Sequence, residues 1–128
     1  MSLNYTDKVM KHFKNPKFLG EIKNPDGIGM VGNPRCGDVM HIYIKVKEGR
    51  IADIKVKTFG CVAAISTSDV VCGLALGKTL DEAVRITKDD VIKKLGMLPP
   101  EKIHCSLLGL DALKMAVDDY GRRKPAKH

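Results

Sequence analysis

Two runs of alternating apolar and polar residues, joined by a turn, constrain the fold of this chain most strongly. Every second residue between Val39 and Lys47 is apolar, namely Met40, Ile42, Ile44 and Val46. The run from Ile51 to Phe59 continues the pattern with Ala52, Ile54 and Val56. Because successive strand side chains point to opposite faces, the pattern predicts a β-hairpin that turns at Glu48-Gly49. One of its faces would cover a core, and the other would be basic and hydrated.

Helical patterns stand on both sides of this hairpin. Apolar residues at helical spacing predict a short helix over Tyr5–Lys14, a largely buried helix over Cys61–Leu76 and an amphipathic helix over Ser106–Arg123. Capping-box sequences at Thr79 and Thr87 predict two further short helices. The order predicts an α+β fold: a small antiparallel sheet of three strands, one of them before the hairpin, with helices packed on one face.

The whole chain, residues 1–128, is predicted to form a single domain. Residues 15–37 are rich in Gly, Pro and Asn, and we interpret them as a long mobile loop that carries Cys36. Residues 27–32 match the GxGxxG dinucleotide pattern, but Asn33-Pro34 follows where a helix would have to begin. We therefore expect no dinucleotide site, and we expect the glycines to let the loop bend close to another site. Residues 122–128 form a basic tail.

Charge and cysteine content limit the classes of partner and compartment. The chain has a formal net charge of +7, but its basic residues are dispersed and its few aromatic residues are not interleaved with them. Nucleic-acid binding is therefore not expected, whereas acidic protein partners are. No apolar run approaches the roughly 18 residues that span a bilayer, and Met1–Lys14 lacks the apolar core of a signal peptide. We expect a cytoplasmic protein with reduced thiols and no membrane contact.

Three of the four cysteines stand at the edges of predicted elements. Cys36 lies two residues before Asp38, so both side chains would face one point in an extended chain. Cys61 and Cys105 each begin a predicted helix, where free N–H groups and the helix dipole favour a thiolate. His104, beside Cys105, is either a ligand or a supporting residue.

Cys72 differs from the other three cysteines. It lies among apolar residues, about 16 Å along the helix from Cys61, and cannot share a metal ion with that thiol. We expect Cys72 to be a core residue.

Three thiolates and one carboxylate favour a particular chemistry. Thiolates select zinc or iron–sulfur clusters, and a carboxylate is a harder and more exchangeable ligand. The chain has no CxxC pair, and a permanent ferredoxin-type cluster would require four closely spaced thiolates. The set therefore favours temporary holding and transfer of an iron–sulfur cluster over electron transfer.

The chain resembles the IscU/NifU-type iron–sulfur cluster scaffold family, and in particular the N-terminal domain of NifU. The resemblance rests on three segments: residues 32–40 with Cys36-Gly37-Asp38, residues 57–61 with Phe59-Gly60-Cys61, and residues 98–106 with Leu98-Pro99-Pro100 and His104-Cys105. It covers residues 5 to about 123 and implies an IscU/SufE-like α+β fold.

The resemblance also implies a function and the residues that perform it. A scaffold of this family receives sulfur from a cysteine desulfurase of the IscS/NifS type, builds a 2Fe-2S cluster and passes it to apo-proteins. It is not an enzyme. Cys36, Cys61 and Cys105 would bind the iron, with Asp38 or His104 completing the set. Cys105 would also accept the persulfide, and zinc would occupy the site without iron.

Two departures from the family pattern concern partners and the surroundings of the cluster. The segment that a DnaK-type chaperone recognises usually has Val in its fourth position, whereas here it consists of Leu98, Pro99, Pro100, Glu101 and Lys102. Val62-Ala63 also replaces the usual Gly-Ser after the second cysteine. A zinc-bound persulfide acceptor that transfers sulfur without building clusters is the alternative function.

Overall fold

The computed structural model describes residues 6–33, 38–60, 62–96, 98 and 103–123, with the backbone alone at positions 33, 38, 104, 105 and 123. The helices are α1 (Asp7–Lys14), α2 (Val62–Ala75), α3 (Leu80–Val84), α4 (Lys88–Leu95) and α5 (His104–Arg123). The strands are β1 (Gly27–Asn33), β2 (Asp38–Lys47) and β3 (Arg50–Phe59). The predicted basic tail lies mostly outside the described residues.

The three strands form one antiparallel sheet in the order β1-β2-β3. Ile42 stands at the centre, paired with Gly29 on one side and Val56 on the other. Met40, Ile42 and Ile44 are completely buried on the inner face, as the alternating pattern predicts. The α+β fold with a three-stranded sheet and the central hairpin are therefore confirmed.

A bulge in the hairpin corrects one detail of the predicted pattern. The register shifts between Lys45 and Val46, which pair with Asp53 and Ile51. Ala52 is the extra residue, and it is exposed, whereas Ile51 is completely buried. A bulge adds one residue to one strand. The side chains on one side of the bulge therefore point to the face opposite to the one that strict alternation predicts. The prediction that Ala52 faces the core was wrong for this reason.

The prediction of one continuous loop over residues 15–37 was also wrong, because Gly27–Asn33 form β1. Its glycines are required by packing and not by a bend. A Cβ atom at Gly29 would lie 1.9 Å from the carbonyl oxygen of Ala112, and one at Gly27 would lie 2.3 Å from that of Ala116. The backbone of α5 thus rests directly on β1. The next described element after these glycines is a strand, β2.

Helices α2 and α5 cover the inner face of the sheet. Thr58, near the end of β3, donates a hydrogen bond from Oγ1 to Ser68 Oγ on α2 at 3.1 Å. Helices α1 and α4 pack beyond α2: Ser66 Oγ donates to the Val9 carbonyl at 2.8 Å, and Thr6 Oγ1 donates to the Leu95 carbonyl. Helices thus lie on one face, as predicted.

The two short helices begin where the sequence predicts. Thr79 with Glu82, and Thr87 with Asp90, form complete capping boxes at the starts of α3 and α4. The Thr79 and Thr87 hydrogen bonds lower the pKa values of the Glu82 and Asp90 carboxyl groups. Helix α2 ends before Gly77, whose φ of 85° is strained for other residues.

A buried carboxylate holds the chain that follows α1. Asp69 of α2 is 1% exposed and accepts hydrogen bonds from the backbone N–H groups of Lys17 (2.8 Å) and Phe18 (3.0 Å). Its second oxygen lies 2.6 Å from His12 Nδ1. The Phe18 carbonyl in turn accepts from the Val56 N–H at 2.7 Å. Part of the predicted loop is therefore fixed to the outer edge of β3.

Replacing Gly29 by Ala tests the close contact between α5 and β1. The added methyl group would overlap the Ala112 carbonyl, so we expect the free energy of unfolding to fall by roughly 3 kcal/mol. Gly121→Ala is the matched control, because a Cβ atom there meets nothing within 4 Å. Alanine favours the helix over glycine by about 0.5 to 1 kcal/mol, so this variant should be slightly stabilised. Urea denaturation of both variants is the measurement. Equal stability of Gly29→Ala and wild type would contradict the contact.

Candidate metal centre

The register of the sheet brings three chain segments to one end. The first residue of β2, Asp38, pairs with the last residue of β1, Asn33. The next residue of β2, Val39, pairs with Phe59, the last residue of β3. Helix α2 begins three residues after Phe59, at Val62. The start of β2 and the link from β3 to α2 are therefore neighbours.

The first turn of α5 lies at the same end. Gly27 contacts α5 near Ala116 and Tyr120, whereas Gly29, two residues further along β1, contacts it near Ala112. Two strand residues span about 6.6 Å and four helix residues about 6 Å, so strand and helix advance in step in opposite directions. When the same alignment is extended from Gly29 to the end of β1 at Asn33, the facing residue of α5 is His104, at the start of the helix.

A contact in the middle of the sheet supports this alignment independently. A Cβ atom at Gly109 would lie 3.5 Å from Met40 Sδ and 3.1 Å from Val71 Cγ2. Met40 is two residues from the start of β2, and Gly109 is five residues from the start of α5. The glycine thus lets the first half of α5 approach both β2 and α2.

The predicted ligand residues differ in how much of each the structure describes. Asp38 is the first residue of β2, and His104 and Cys105 are the first two residues of α5, but their side chains lie outside the described part of the chain. Cys36 and Cys61 fall wholly outside it, although the elements next to Cys61 are described. The elements that carry or flank four of the five residues therefore meet at one end of the sheet. The ligand set itself stays a prediction.

The electrostatics of this end suit anionic ligands. Both α2 and α5 begin here, and neither has an acidic residue in its first turn. Each helix start carries about half a positive charge, together with backbone N–H groups that the helix does not satisfy. Two such helix ends, with no acidic residue in either first turn, stabilise thiolates and so favour metal binding by cysteine.

Two buried hydroxyl groups lie in the first two turns of α5 and α2. Ser106 is completely buried and donates from Oγ to the Ile103 carbonyl at 2.7 Å. In α2, Thr67 is also completely buried and donates to the Ala63 carbonyl at 2.7 Å. These local hydrogen bonds satisfy both hydroxyl groups within the core.

Cys72 is a core residue, as the sequence predicts. It is completely buried in α2, and burial raises the pKa of its thiol well above the ordinary value, with a further increase from the charge of Asp69. The thiol therefore stays protonated near neutral pH and is a poor metal ligand.

The segment predicted to contact a chaperone is described only at Leu98. This side chain is 4% exposed and belongs to the core. In this conformation the Leu98 side chain is therefore not accessible to a partner. Pro99, Pro100, Glu101 and Lys102 lie outside the described residues.

An apolar patch next to this end was missed in the sequence. Met30, Val39 and Phe59 are 58%, 36% and 57% exposed on the outer face of the sheet. For Val39 and Phe59 the signal was available, because both occupy outward positions of the predicted hairpin, where alternation requires polar residues. Met30 lies in the segment that the sequence predicts to be a loop, and only the structure places it on a strand. Three exposed apolar side chains close together mark a surface for contact with another molecule. We call Met30, Val39 and Phe59 the apolar patch.

Two features are absent from the described residues. No group of three or more His, Cys, Asp or Glu residues in the described ranges is arranged to hold a metal ion. Among the helices seen here, none is both long and apolar enough for a membrane span.

Comparison with known proteins identifies relatives over nearly the entire chain. Residues 4–127 match the family of NifU-like N-terminal domains. The iron-sulfur cluster assembly scaffold protein IscU 1 of Archaeoglobus fulgidus is 56% identical over 119 residues, which cover 93% of this chain and 78% of the relative. The scaffold protein IscU of Escherichia coli K12 is 48% identical over 127 residues, covering 96% and 98%.

The fold is shared with a solved structure. The N-terminal part of a NifU-like protein from Brucella abortus superimposes with a TM-score of 0.78, covers 93% of this chain and 95% of its own, and is 19% identical. At this identity the likeness concerns the fold alone, and it confirms the architecture predicted from the sequence.

Cobalt binding tests the predicted ligand set. We expect one Co²⁺ per chain, with thiolate-to-metal charge-transfer absorbance in an anaerobic titration. Changing Cys36, Cys61 or Cys105 to Ser should weaken binding about tenfold or more, because a thiolate ligand is lost. Cys72→Ala is the matched control and should titrate like wild type. Unchanged cobalt affinity in any of the three Ser variants would remove that cysteine from the set.

Proposed function

This chain belongs to the family of NifU-like N-terminal domains, and we propose that it is a scaffold on which an iron–sulfur cluster is assembled and from which the cluster is transferred. The observation that carries the proposal is the meeting of three segments at one end of the sheet. They are the start of β2, the link between β3 and α2, and the start of α5. Relatives at 48% and 56% identity are named as assembly scaffolds, which supports the same role here.

The cluster is proposed to be of the 2Fe-2S type, held by Cys36, Cys61 and Cys105. Asp38 or His104 completes the set. Two helix starts without acidic residues in their first turns support three anionic thiolates here. A carboxylate or imidazole as fourth ligand makes the cluster easier to release than four thiolates would. Zinc fits the same donors and would occupy them when iron is absent.

Sulfur is proposed to arrive as a persulfide on Cys105. The Cys105 thiolate attacks the outer sulfur of the persulfide on a cysteine desulfurase, a new S–S bond forms, and the donor leaves as a thiolate. Each transferred sulfur needs two electrons to become sulfide, and a separate electron donor supplies them. Because bound sulfur and iron are cargo and are handed on, the chain acts as a binding and transfer protein and not as a turnover enzyme.

The apolar patch supports contact with a sulfur donor or a cluster acceptor. Val39 and Phe59 pair across β2 and β3, and each is next to or two residues from a proposed ligand. A partner that covers this patch would reach the cluster end directly. Contact of residues 98–102 with a DnaK-type chaperone, and a cytoplasmic location, are further proposals. Glu101 argues against strong dependence on such a chaperone.

The scaffold is favoured over the alternative function, a zinc-bound protein that only passes persulfide sulfur. The relatives from Archaeoglobus fulgidus and Escherichia coli are named as cluster assembly scaffolds. The predicted set also contains both Asp38 and His104, which suits an exchangeable fourth ligand.

Anaerobic reconstitution tests the proposed function. With ferrous iron, cysteine and a cysteine desulfurase, we expect a visible charge-transfer spectrum with two iron ions and two sulfides per site. Cys72→Ala should behave like wild type, whereas Cys105→Ser should form little cluster because it lacks a thiolate and the persulfide acceptor. Retention of zinc without a cluster spectrum, in the presence of an active desulfurase, would reject the scaffold.

Replacing Asp38 by Ala tests its proposed role in release. If the carboxylate is the exchangeable ligand, the cluster should still form but should pass to an apo-ferredoxin about tenfold more slowly. The transfer is followed by circular dichroism of the acceptor, and His104→Ala is measured beside it. An unchanged rate for Asp38→Ala together with a slow His104→Ala would assign the fourth position to His104.

A further inference from the structure

A groove with basic walls lies between α1, α4 and the C-terminal end of α2. It consists of two adjoining clefts of about 340 and 530 Å³ that share Leu74 and Lys94. Its basic residues are five lysines and one histidine: Lys8, His12, Lys17, Lys78, Lys93 and Lys94. We call these clefts the basic groove. Leu74 is twelve residues beyond the start of α2, or about 18 Å along the helix from the candidate metal centre.

Among the described residues, no carboxylate oxygen lies within 4.0 Å of a groove lysine, whereas three other cations of the protein have such a partner. Lys45, Arg50 and Lys57 each lie within 4.0 Å of an Asp or Glu oxygen. Within the part of the chain that the structure describes, none of the five groove lysines forms such a pair. Unpaired positive charge is thus concentrated in one concave surface, where neighbouring charges reinforce one another.

The two carboxylates of the groove are already occupied. Asp69 accepts hydrogen bonds from the Lys17 and Phe18 amides and lies against His12. Asp90 accepts from the Thr87 N–H at 3.0 Å as part of its capping box. Neither carboxylate is within 4 Å of a groove ammonium group among the described residues. Five lysines against two engaged carboxylates leave a net positive field for an external anion.

The floor of the groove is apolar. Val70 and Ile86 are 4% and 7% exposed, and Phe18 and Leu74 are partly buried beside them. The lysines surround this floor, and Lys8, Lys17, Lys93 and Lys94 are exposed. An occupant that matches both parts must combine negative charges with apolar side chains.

We propose that the basic groove binds an acidic, amphipathic segment of a partner protein. Nucleic acid fits less well, because single-strand binding relies on stacking against several aromatic residues and Phe18 is the sole aromatic residue among the described lining. A membrane surface fits less well too, because none of the large exposed apolar side chains in the described ranges lies in the groove. The groove lies apart from the candidate metal centre, so a bound partner would leave that end accessible.

A charge-reversal experiment tests the proposal. The probe is a fluorescein-labelled peptide of fourteen residues that contains only Glu, Leu and Gly, and binding is measured by anisotropy at low and physiological salt. We expect Lys93→Glu/Lys94→Glu to weaken binding about tenfold and rising salt to weaken the wild-type complex. Lys23→Glu/Lys114→Glu is the matched control with the same net charge, since both residues are exposed and outside the groove. It should change the affinity less than about twofold.

A milder variant, a folding control, chemical-shift mapping and two further ligands make the outcome unambiguous. Because both lysines stand in the last turn of α4, Lys93→Gln/Lys94→Gln is included as a milder variant, and circular dichroism verifies folding. Amide chemical-shift changes should fall in α1, α4 and the end of α2. Equal losses in the groove and control variants, or equal affinity for a Glu-Gly peptide without Leu, would overturn the proposal. Tighter binding of a single-stranded oligonucleotide through the same amides would overturn it as well.

Discussion

The rest of the structure depends on the close contact between the backbone of α5 and the glycines of β1. At Gly27 and Gly29 no side chain can be accommodated, so the helix rests on the strand and its axial position is fixed. That position brings the start of α5 to the end of the sheet where β2 begins and β3 ends. The pairing of the strands gathers Asp38 and the link to α2, and the packing of α5 adds His104 and Cys105.

The candidate centre therefore depends on long-range packing and not on a local motif. Its proposed ligands are separated by 25 and 44 residues between successive cysteines, so no compact sequence spacing holds them together. Gly109 against Met40 and Val71 fixes α5 on the sheet, and the Thr58–Ser68 hydrogen bond fixes α2. A centre assembled from separate elements can open by small movements of one of them, which suits a cluster that is held temporarily.

Much of the fold could be predicted from the sequence because its signals are local. Alternation in β2 and the capping boxes at Thr79 and Thr87 depend on neighbouring residues. The bulge at Ala52 depends on pairing across the hairpin, and the strand character of Gly27–Asn33 depends on pairing with β2 and on packing against α5. A glycine-rich segment has the composition of a loop, and its glycines are explained only by the close packing of α5 against β1. The ligand residues were identified by chemistry and resemblance, and the apolar patch and the basic groove only by three-dimensional position.

The most direct test of the central claim is whether the three predicted cysteine ligands are close together in the folded protein without metal. In a Cys72→Ala background, a bifunctional thiol reagent that spans only a few ångströms is added to the metal-free chain, and the linked peptides are identified by mass spectrometry. We expect intramolecular links between Cys61 and Cys105, or between either of them and Cys36. These links should disappear in urea. Folded protein that reacts fully at all three thiols without any such link would contradict it.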